Sequence, residues 1–297
     1  MKRDEHQRGQ DESDAPFASV SGQKGFAIQG YEGSFHQMAA QHFLGRNVQV
    51  IPCSTFREVV KLTAAKKESD GGVMAIENSI AGSILANYNL LQRSNLLIVG
   101  EVYLQIRQNL LVNRGITIED IREVHSHPMA IQQCLNFLDK FDWKLVETED
   151  TALSAKHVHQ HKSKHVAAIA SKLAADLFDL DILVPNIHTL KNNYTRFLIL
   201  QREDTAQKIK GADKASLSFH TDHSKGSLAR VLTKIAEDDI NLSKLQSFPI
   251  PDTDFKYSFH VDMEFDSLDQ FEKVIESIRP ITEHLKIYGV YKRGEWR

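Results

Sequence analysis

Short apolar runs alternate with amphipathic segments along most of the chain. Runs such as 26–29 and 71–76 have the length and composition of buried strands, and segments with the 3.6-residue apolar spacing of a helix follow them. Polar residues suited to capping predict that two of these helices begin near Ser34 and at Ser54 or Thr55. Short strands that alternate with helices predict an α/β fold with a sheet of parallel strands.

A second block of the same kind follows. It begins with the extended segment 101–112 and contains predicted helices at about 129–140 and from Thr151 onward. The chain then returns through the stretch NNYTRFLIL, in which polar residues lead into an apolar run with the composition of a core strand. Thr195 and Arg196 therefore lie at the mouth of a strand, a common place for a ligand site.

The third block has a different order. After a polar linker, the elements are strand, helix, strand, strand, helix and strand, with the helices predicted at 226–237 and 267–279. The first of these helices has an apolar face suited to packing on a sheet, formed by Leu228, Val231, Leu232 and Ile235. This order is that of the ferredoxin-like βαββαβ motif.

Composition limits the class of protein and of ligand. The chain has 297 residues, of which 41% are apolar and 25% are charged, so it is long enough to form several hydrophobic cores. Lys and Arg total 36 against 39 Asp and Glu, and the formal net charge of -3 argues against a nucleic-acid surface. We therefore expect a small-molecule ligand, with neither nucleic acid nor membrane as a partner.

The chain carries few signals for targeting, disulfides or metals. No apolar run approaches the roughly 18 residues of a membrane helix, and the N-terminus lacks the apolar segment of a secretory signal, so a cytoplasmic location is expected. Cys53 and Cys134 are too few for a disulfide framework and are expected to be reduced. His125 and His127 lie on one face of an extended segment, but no further ligand has convincing spacing, so no metal is expected.

Three polar segments follow predicted strands and are candidate ligand sites. Gly33 and Ser34 open a helix, where free backbone N–H groups can hold an anion. Asn78 follows a buried strand, and Ser126 precedes a helix that contains Gln133, so amide and hydroxyl groups lie at two further strand ends. Each segment alone is also explained by a turn, a capped loop or, for Ser126, a helix cap, which leaves the choice open.

Together these segments resemble the prephenate dehydratase family, and the resemblance extends from about Gly25 to the C-terminus. It rests on four ordered motifs: the glycine loop at 30–35, Glu77-Asn78-Ser79 with Gly82, Ser126-His127-Pro128 with Gln133-Cys134, and Thr195-Arg196-Phe197. The resemblance implies a catalytic region of two α/β lobes with the site in the cleft between them, as in type II periplasmic binding proteins. A ferredoxin-like ACT domain is implied at the C-terminus.

The resemblance and the element pattern together give the expected domain boundaries. The N-terminal tail is rich in charge and nearly devoid of large apolar residues, so it is expected to be disordered. The expected order is a tail at 1–22, a catalytic region at 23–203, a linker at 204–214 and the ACT domain at 215–297. The first lobe is expected at about 23–104 and 188–203, and the second lobe at about 105–187.

The implied reaction is the loss of water and carbon dioxide from prephenate to give phenylpyruvate for phenylalanine biosynthesis, without a cofactor. Formation of an aromatic ring drives the reaction, so the enzyme need only assist departure of the ring hydroxyl. The implied catalytic residues are Thr195, as a hydrogen-bond donor to that hydroxyl, with Asn78, Gln133 and Ser126. The implied substrate-binding residues are Arg196, as the partner of a carboxylate, with Gly33, Ser34, Ser79, Gly82 and Phe197.

The implied ACT domain carries with it regulation by L-phenylalanine and a homodimer or homotetramer, because ACT effectors commonly bind between subunits. The implied effector-binding residues are Gly226, Ser227, Leu228, Asn241, Leu242, Ser247 and Pro249. Gln246 and Phe248 replace the glutamate and the arginine of the family's second effector motif, which leaves inhibition by phenylalanine open. An arogenate dehydratase of the same family and a non-catalytic amino-acid sensor remain alternatives.

Overall fold

Three β-sheets organise the residues that the structure describes. The structure is a computed structural model, and it describes residues 24–207, 209–222, 224–250, 253 and 256–296. The tail expected at 1–22 lies outside the described residues. The sheets follow one another along the chain, with one exception. One strand of the first sheet is formed by residues that come after the second sheet.

The first sheet begins with alternating strands and helices. Ser34 and Thr55 cap the first two helices by accepting hydrogen bonds from the N–H groups of Gln37 and Glu58, which confirms the predicted helix starts. The elements are β1 (Phe26–Gln29), α1 (Phe35–Leu44), β2 (Val50–Cys53), α2 (Phe56–Ala64), β3 (Gly71–Asn78), β4 (Gly82–Ser83), α3 (Leu85–Arg93) and β5 (Leu96–Gln105). Strand β1 pairs in parallel with both β2 and β3.

The second sheet is inserted before the last strand of the first. Its elements are β6 (Asn109–Val112), a short 3-10 helix (Ile118–Asp120), β7 (Glu123–Ser126), α4 (Pro128–Gln133), α5 (Leu135–Leu138), β8 (Lys144–Glu147), α6 (Thr151–Gln160), β9 (Val166–Ala170), α7 (Lys172–Leu177) and β10 (Asp181–Val184). Its strand order is β10-β6-β9-β7-β8. The chain then returns as β11 (Tyr194–Arg202), which runs antiparallel between β3 and β5 and gives the first sheet the order β2-β1-β3-β11-β5.

The helix expected at about 129–140 is divided in two. Pro128 occupies the first turn of α4, where its fixed φ and missing N–H are tolerated. Cys134 then leaves helical geometry, with φ -109° and ψ 5°, and the chain resumes as the short helix α5. The suggested Ser126 cap is also wrong, because His127 Nδ1 accepts the hydrogen bond from the Met129 N–H group.

The third sheet has the predicted βαββαβ order. Its elements are β12 (Lys214–His220), α8 (Ser227–Glu237), β13 (Asn241–Pro249), β14 (Tyr257–Glu264), α9 (Leu268–Ile278), a short 3-10 helix (Arg279–Ile281) and β15 (Glu283–Tyr291). Neighbouring strands are antiparallel in the order β13-β14-β12-β15. Both helices cover one face of the sheet, where Leu217 and Val261 pack with Val231 of α8 and Val274 of α9.

The opposite face of the third sheet packs on the first sheet. Aromatic side chains of the third sheet form an apolar cluster with α3, β3, β5 and β11, in which the ring centroids of Tyr88 and Phe248 are 5.4 Å apart. Gly289 brings β15 so close to β5 that a Cβ there would lie 2.1 Å from the carbonyl oxygen of Ile98. The two sheets therefore share a core.

The observed architecture confirms the predicted fold class of two α/β lobes followed by a ferredoxin-like sheet. Both cysteines of the chain are buried and free. Among the described residues, no helix is both long enough and apolar enough to cross a bilayer. The functional question is therefore how the two lobes and the third sheet position the residues of the matched motifs.

Phe248→Ala tests the core shared by the first and third sheets. Phe248 is 4% exposed, and truncating a buried aromatic side chain costs about 3–5 kcal/mol of unfolding free energy. We expect a loss of that size in urea unfolding followed by circular dichroism. Leu177→Ala is the control, because that side chain is 49% exposed, and its loss should be about 0.5 kcal/mol or less. Equal losses in the two variants would contradict a shared core.

Candidate active site

A cleft of about 260 Å³ lies between the first and second sheets. Elements of the first lobe line one side, and α4, α6 and the loop before α6 line the other. Five of the residues predicted for the site line this cleft, namely Thr195, Phe197, Asn78 and Ser34 from the first lobe and Gln133 from the second. The matched motifs, which are far apart in the sequence, are thus brought together across the lobe boundary.

Thr195 belongs to a chain of side-chain hydrogen bonds. The Nδ2 group of Asn78 donates to Thr195 Oγ1 at 3.0 Å and to Asn193 Oδ1 at 2.7 Å. The Nδ2 group of Asn193 donates in turn to Gln133 Oε1 at 3.1 Å, which carries the chain across to the second lobe. Because Thr195 Oγ1 accepts from Asn78, the hydroxyl hydrogen is left to donate to a ligand in the cleft.

A β-bulge in β3 places Asn78 beside Thr195. In the pairing of β11 with β3, Thr195 is opposite Asn78 and Phe197 is opposite Ala75, so β3 has one more residue than β11 between these pairs. Because successive side chains of a strand point to opposite faces, regular alternation from Ala75 would turn Asn78 away from the cleft. The extra residue restores its orientation, and Asn78 and Thr195 both line the cleft.

The expectation that Arg196 binds a substrate carboxylate is wrong in this structure. Thr195 and Phe197 line the cleft, so the alternation of strand β11 directs Arg196 to the opposite face, toward the third sheet. The Arg196 side chain is 4% exposed and pairs with Asp262 of β14 and, at 2.6 Å, with Glu101 of β5. Arg196 therefore joins the first sheet to the third instead of facing the cleft.

Opposite charges set the protonation states of this buried group. Burial alone would raise the pKa of Asp262, but the Arg196 guanidinium holds that pKa well below its usual range. Burial is also the largest single effect on Arg196 and opposes its charge, but Asp262, Tyr291 and Glu101 together keep the pKa of Arg196 well above its ordinary value. Lys214 Nζ lies 3.0 Å from Glu101 and adds a second cation. Arg196 and Asp262 therefore stay charged at neutral pH.

Ser126, Ser79 and Gly82 were expected in the site, but they are not among the described residues that line the cleft. Ser126 is fully buried and donates to the carbonyl oxygen of Ile169 at 2.7 Å, which ties β7 to β9. The Ser79 hydroxyl donates at 3.0 Å to a backbone carbonyl in the loop before β11. Gly82 forms the two-residue strand β4 with Ser83, at a φ of +80°. These residues shape the walls of the site.

Gly33 supports the cleft without offering the free N–H group that was expected. Its N–H donates to Gln37 Oε1 at 2.7 Å. Its φ is +90°, and a Cβ at this residue would lie 3.0 Å from the Cα of Ala174, so glycine allows the two lobes to approach closely here. Ser34 does line the cleft, and its hydroxyl oxygen accepts from the Gln37 N–H as the cap of α1.

Three helices direct their first turns toward the cleft. Ser34, His127 and Asp150 cap α1, α4 and α6, and all three residues line the cleft. A helix N-terminus carries a positive partial charge and N–H groups that suit an anion. The cleft lining contains no Lys or Arg within the described part of the chain. An anionic ligand would therefore meet helix dipoles and neutral donors together with the carboxyl groups of Glu149 and Asp150, which also line the cleft.

Sequence reasoning missed several polar residues at or beside the cleft, among them His36, Asn193 and Asp150. His36 lines the cleft and packs edge-on against Phe197 with 5.0 Å between ring centroids, and burial lowers its pKa to about 3, so the imidazole is neutral. Burial raises the pKa of the Asp150 carboxyl. His36 and Asn193 each lie within two residues of a matched motif, and that proximity is the signal that could have found them.

The expected effector residues form two groups near opposite ends of β13. Ser247 and Pro249 lie at its C-terminal end. The C-terminal end of β12 lies at the same edge of the sheet and leads to the first turn of α8, which contains Gly226, Ser227 and Leu228. Asn241 lies at the other end of β13, about 20 Å from Ser247 at about 3.4 Å per strand residue, and Leu242 follows it. A single chain therefore does not gather all seven residues around one small ligand.

The two altered residues of the effector motif face the first sheet. Gln246 Oε1 accepts a hydrogen bond from the Ser83 hydroxyl at 3.3 Å, and Phe248 packs on Tyr88 in the shared core. Ser247 and Pro249, which alternate with them along β13, are exposed. The substitutions therefore lie on the face of β13 opposite to the one that a ligand from solvent can reach.

Comparison with known proteins identifies one family. A family model described as prephenate dehydratase matches residues 26–205. The chain is 35% identical over 275 residues to the chloroplastic arogenate dehydratase/prephenate dehydratase 2 of Arabidopsis thaliana, an alignment that covers 89% of this chain and 72% of the relative. The matched region of the family model contains both lobes with the cleft between them.

Two solved structures are similar over most of the chain. The prephenate dehydratase of Arthrobacter aurescens in complex with L-Phe has a TM-score of 0.79 and 25% identity, and the match covers 90% of each chain. A protein described as a novel type of quorum quenching acylase has a TM-score of 0.81 and 27% identity, and the match covers 90% of this chain and 97% of that one. The structural likeness thus extends beyond the region of the family model into the third sheet.

Arg196→Met tests the buried network between the first and third sheets. We expect the variant to lose about 3–5 kcal/mol of unfolding free energy at pH 7, because Asp262 stays buried without its Arg196 partner and Glu101 keeps only Lys214. The folded pKa of Asp262 is lowered, so its stabilising effect is present above the unfolded pKa of about 3.9 and is lost as pH falls. The difference from wild type should therefore narrow below about pH 4, as measured by urea unfolding between about pH 7 and pH 3.

Arg114→Met is the control for this experiment. Arg114 forms an exposed pair with Asp179 in the second lobe, and exposed pairs contribute about 1 kcal/mol or less. A loss of that small size for Arg196→Met as well would contradict the buried role of Arg196.

Proposed function

The chain belongs to the prephenate dehydratase family, and we propose that it converts prephenate to phenylpyruvate, water and carbon dioxide in the cleft between its lobes. The observation that carries the proposal is the hydrogen-bonded pair of Thr195 and Asn78, which presents a hydroxyl donor to the cleft. The family match at residues 26–205 includes both of these residues. The product leads to phenylalanine, which places the reaction in the biosynthesis of that amino acid.

We propose that the two carboxylates of prephenate are held by helix N-termini and neutral side chains. The capped ends of α1 and α4 supply positive partial charge where the cleft lining has no described Lys or Arg, whereas Asp150, the cap of α6, and Glu149 add carboxyl groups to that lining. One carboxylate must leave as neutral carbon dioxide, so a cation bound tightly to it would stabilise the ground state and slow the reaction. Neutral donors therefore suit this chemistry better than Arg196 would.

In the reaction, the C–C bond to the ring carboxylate breaks, its electron pair enters the ring, and the C–O bond of the ring hydroxyl breaks. Carbon dioxide is released, and the hydroxyl takes up a proton from solvent and leaves as water. Thr195 donates a hydrogen bond to this oxygen as negative charge develops on it. Asn78 donates to Thr195 Oγ1 and so polarises the hydroxyl. A threonine hydroxyl is too weak an acid to transfer its proton outright, so hydrogen-bond donation is its role.

Similar proteins carry two other activities, and the site argues against one of them, the acylase. Arogenate differs from prephenate only by an amino group in place of the keto oxygen, and the Arabidopsis relative is named for both substrates. An acylase needs a base that takes the proton of its nucleophile, whereas Asn78, the partner of Thr195, donates to it. Dehydration of prephenate is therefore the first candidate, with arogenate as the second substrate to test.

We also propose that L-phenylalanine regulates the enzyme through the third sheet, in a homodimer or homotetramer. The Arthrobacter aurescens relative was solved with L-Phe bound. Gln246 and Phe248, which depart from the effector motif, face the first sheet. The exposed residues Ser247 and Pro249 still match the motif. The two groups of effector residues lie about 20 Å apart along β13, so a second subunit is needed to complete each effector site.

Thr195→Val tests the proposed donor. The substitution removes the hydroxyl with little change in shape, and losing one donor to a developing charge costs about 100- to 1000-fold in kcat. We expect a fall of that size in phenylpyruvate formation, whereas Thr195→Ser should stay within about tenfold of wild type because it keeps a hydroxyl. Circular dichroism and thermal unfolding should confirm that both variants fold. Activity of a folded Thr195→Val variant within about threefold of wild type would refute the assignment.

The substrate and the effector are tested with the purified full chain. Prephenate and arogenate are supplied separately, and phenylpyruvate and phenylalanine are measured as products, with and without added L-phenylalanine. We expect turnover of prephenate, slowed by L-phenylalanine. Turnover without slowing would refute the proposed effector and leave the reaction intact. Turnover of arogenate alone would replace the substrate, and turnover of neither would favour a sensor.

A further inference from the structure

Four charged residues form two salt bridges between the first and third sheets. Arg196 of β11 and Glu77 of β3 are register partners in the first sheet, and Asp262 of β14 and Lys244 of β13 are register partners in the third. Arg196 pairs with Asp262, and Lys244 Nζ lies 2.5 Å from Glu77 Oε1. The two cross-strand pairs thus face each other with alternating charge. We call these four residues the charge square.

The charge square lies directly behind the proposed catalytic pair. Glu77 precedes Asn78 along β3, and Arg196 follows Thr195 along β11. The bulge in β3 leaves Glu77 on the side of the third sheet and returns Asn78 to the cleft. Each catalytic side chain is therefore one residue from a side chain that the third sheet holds by a salt bridge.

Lys244 holds both strands of the hairpin that carries Asn78. Its Nζ bonds Glu77 of β3 and, at 2.6 Å, the hydroxyl of Ser83 of β4, and Glu77 and Ser83 are opposite each other in the hairpin. The Lys244 side chain is 13% exposed and that of Glu77 is 31% exposed, so solvent screens this pair only partly. A displacement of β13 therefore acts on the backbone that orients Asn78.

We propose that Lys244 is a positioning residue for the dehydration. It acts through Glu77 to hold Asn78 against Thr195, so a change in the position of β13 alters the geometry of the cleft. This inference rests on the proposed function, because it takes the Thr195 and Asn78 pair as the site of the chemistry. The residues that alternate with Lys244 on β13 include Ser247, which belongs to the proposed effector site. An effector that shifts this strand would therefore reach the catalytic pair through one salt bridge.

Lys244→Met tests the inference by steady-state kinetics of the full chain with prephenate. We expect kcat to fall about tenfold, which corresponds to about 1.4 kcal/mol of transition-state stabilisation. KM should change by less than about threefold, because no proposed substrate contact is removed. Lys244→Arg should recover most of the lost rate, since a guanidinium can pair with the same Glu77 carboxylate.

The double variant Thr195→Val/Lys244→Met separates positioning from a general structural effect. If Lys244 acts through the catalytic pair, the Lys244 substitution should lower kcat of Thr195→Val by less than about twofold further. A further fall of about tenfold would show that the two effects are independent, which would overturn the proposed route.

Lys286→Met is the matched control. Lys286 of β15 also holds the third sheet to the first lobe, because its Nζ donates to the carbonyl oxygens of Gln92 and Ser94 at 3.1 and 2.7 Å. These contacts lie outside the hairpin that carries Asn78. We expect its kcat to stay within about twofold of wild type. Inhibition by L-phenylalanine should weaken at least about threefold in Lys244→Met and stay unchanged in Lys286→Met.

Equal losses of kcat in Lys244→Met and Lys286→Met would overturn the inference, because the effect would then belong to sheet docking in general. An unchanged kcat in Lys244→Met beside an active wild type would also overturn it. Absence of prephenate turnover in the wild type would instead refute the proposed function, so the two failures are distinguishable.

Discussion

The buried salt bridge between Arg196 and Asp262 fixes the orientation of β11, and the candidate site depends on that orientation. Successive side chains of a strand point to opposite faces, so the pairing of Arg196 with the third sheet turns Thr195 toward the cleft. A register shift of one residue would turn Thr195 toward the third sheet and leave Asp262 without its Arg196 partner, at a cost of several kcal/mol. The bulge in β3 then brings Asn78 to the same face. Stability of the sheet packing and geometry of the site are consequently set by the same few residues.

This arrangement also explains the electrostatic character of the cleft. Two cations of β11 and β12, Arg196 and Lys214, are paired with carboxylates behind the first sheet. The cleft itself is lined by amides, hydroxyls, a neutral His36, the carboxyl groups of Glu149 and Asp150 and the first turns of three helices. Such donors can orient an anionic substrate while leaving its carboxylate free to depart as carbon dioxide. Charged side chains on one face of the first sheet thus hold the third sheet, and the other face suits a reaction in which a carboxylate leaves as carbon dioxide.

Much of the fold follows from the sequence, because apolar periodicity and helix caps report local structure directly. The cap Ser34, the cap Thr55 as one of two candidates, the βαββαβ order and most strands of the lobes were predicted correctly. Strands β4 and β10 were not predicted, and the single extended segment expected at 101–112 is two strands, β5 and β6. Sequence pattern did not reveal that Arg196 faces the third sheet. Which element packs on each face of a strand, and where a β-bulge occurs, depend on contacts between residues that are distant in the sequence. The polar residues of β12 and β14, such as Ser216, Ser218 and Asp262, alternate as they would on a solvated sheet face, yet this face is buried against the first sheet. Ser126 looked like a helix cap and a site residue for the same local reason, and a strand contact with Ile169 decided otherwise.

A crystal structure of the chain with bound phenylpyruvate would test the central claim most directly, because the orientation of Thr195 and Arg196 relative to the product is then visible. We expect the product to lie in the cleft with its ring edge within about 4 Å of Thr195 Oγ1. Its carboxylate should face a helix N-terminus, and Arg196 should remain paired with Asp262. A guanidinium of Arg196 bound to the product carboxylate would contradict the account, because β11 would then present the opposite face to the cleft.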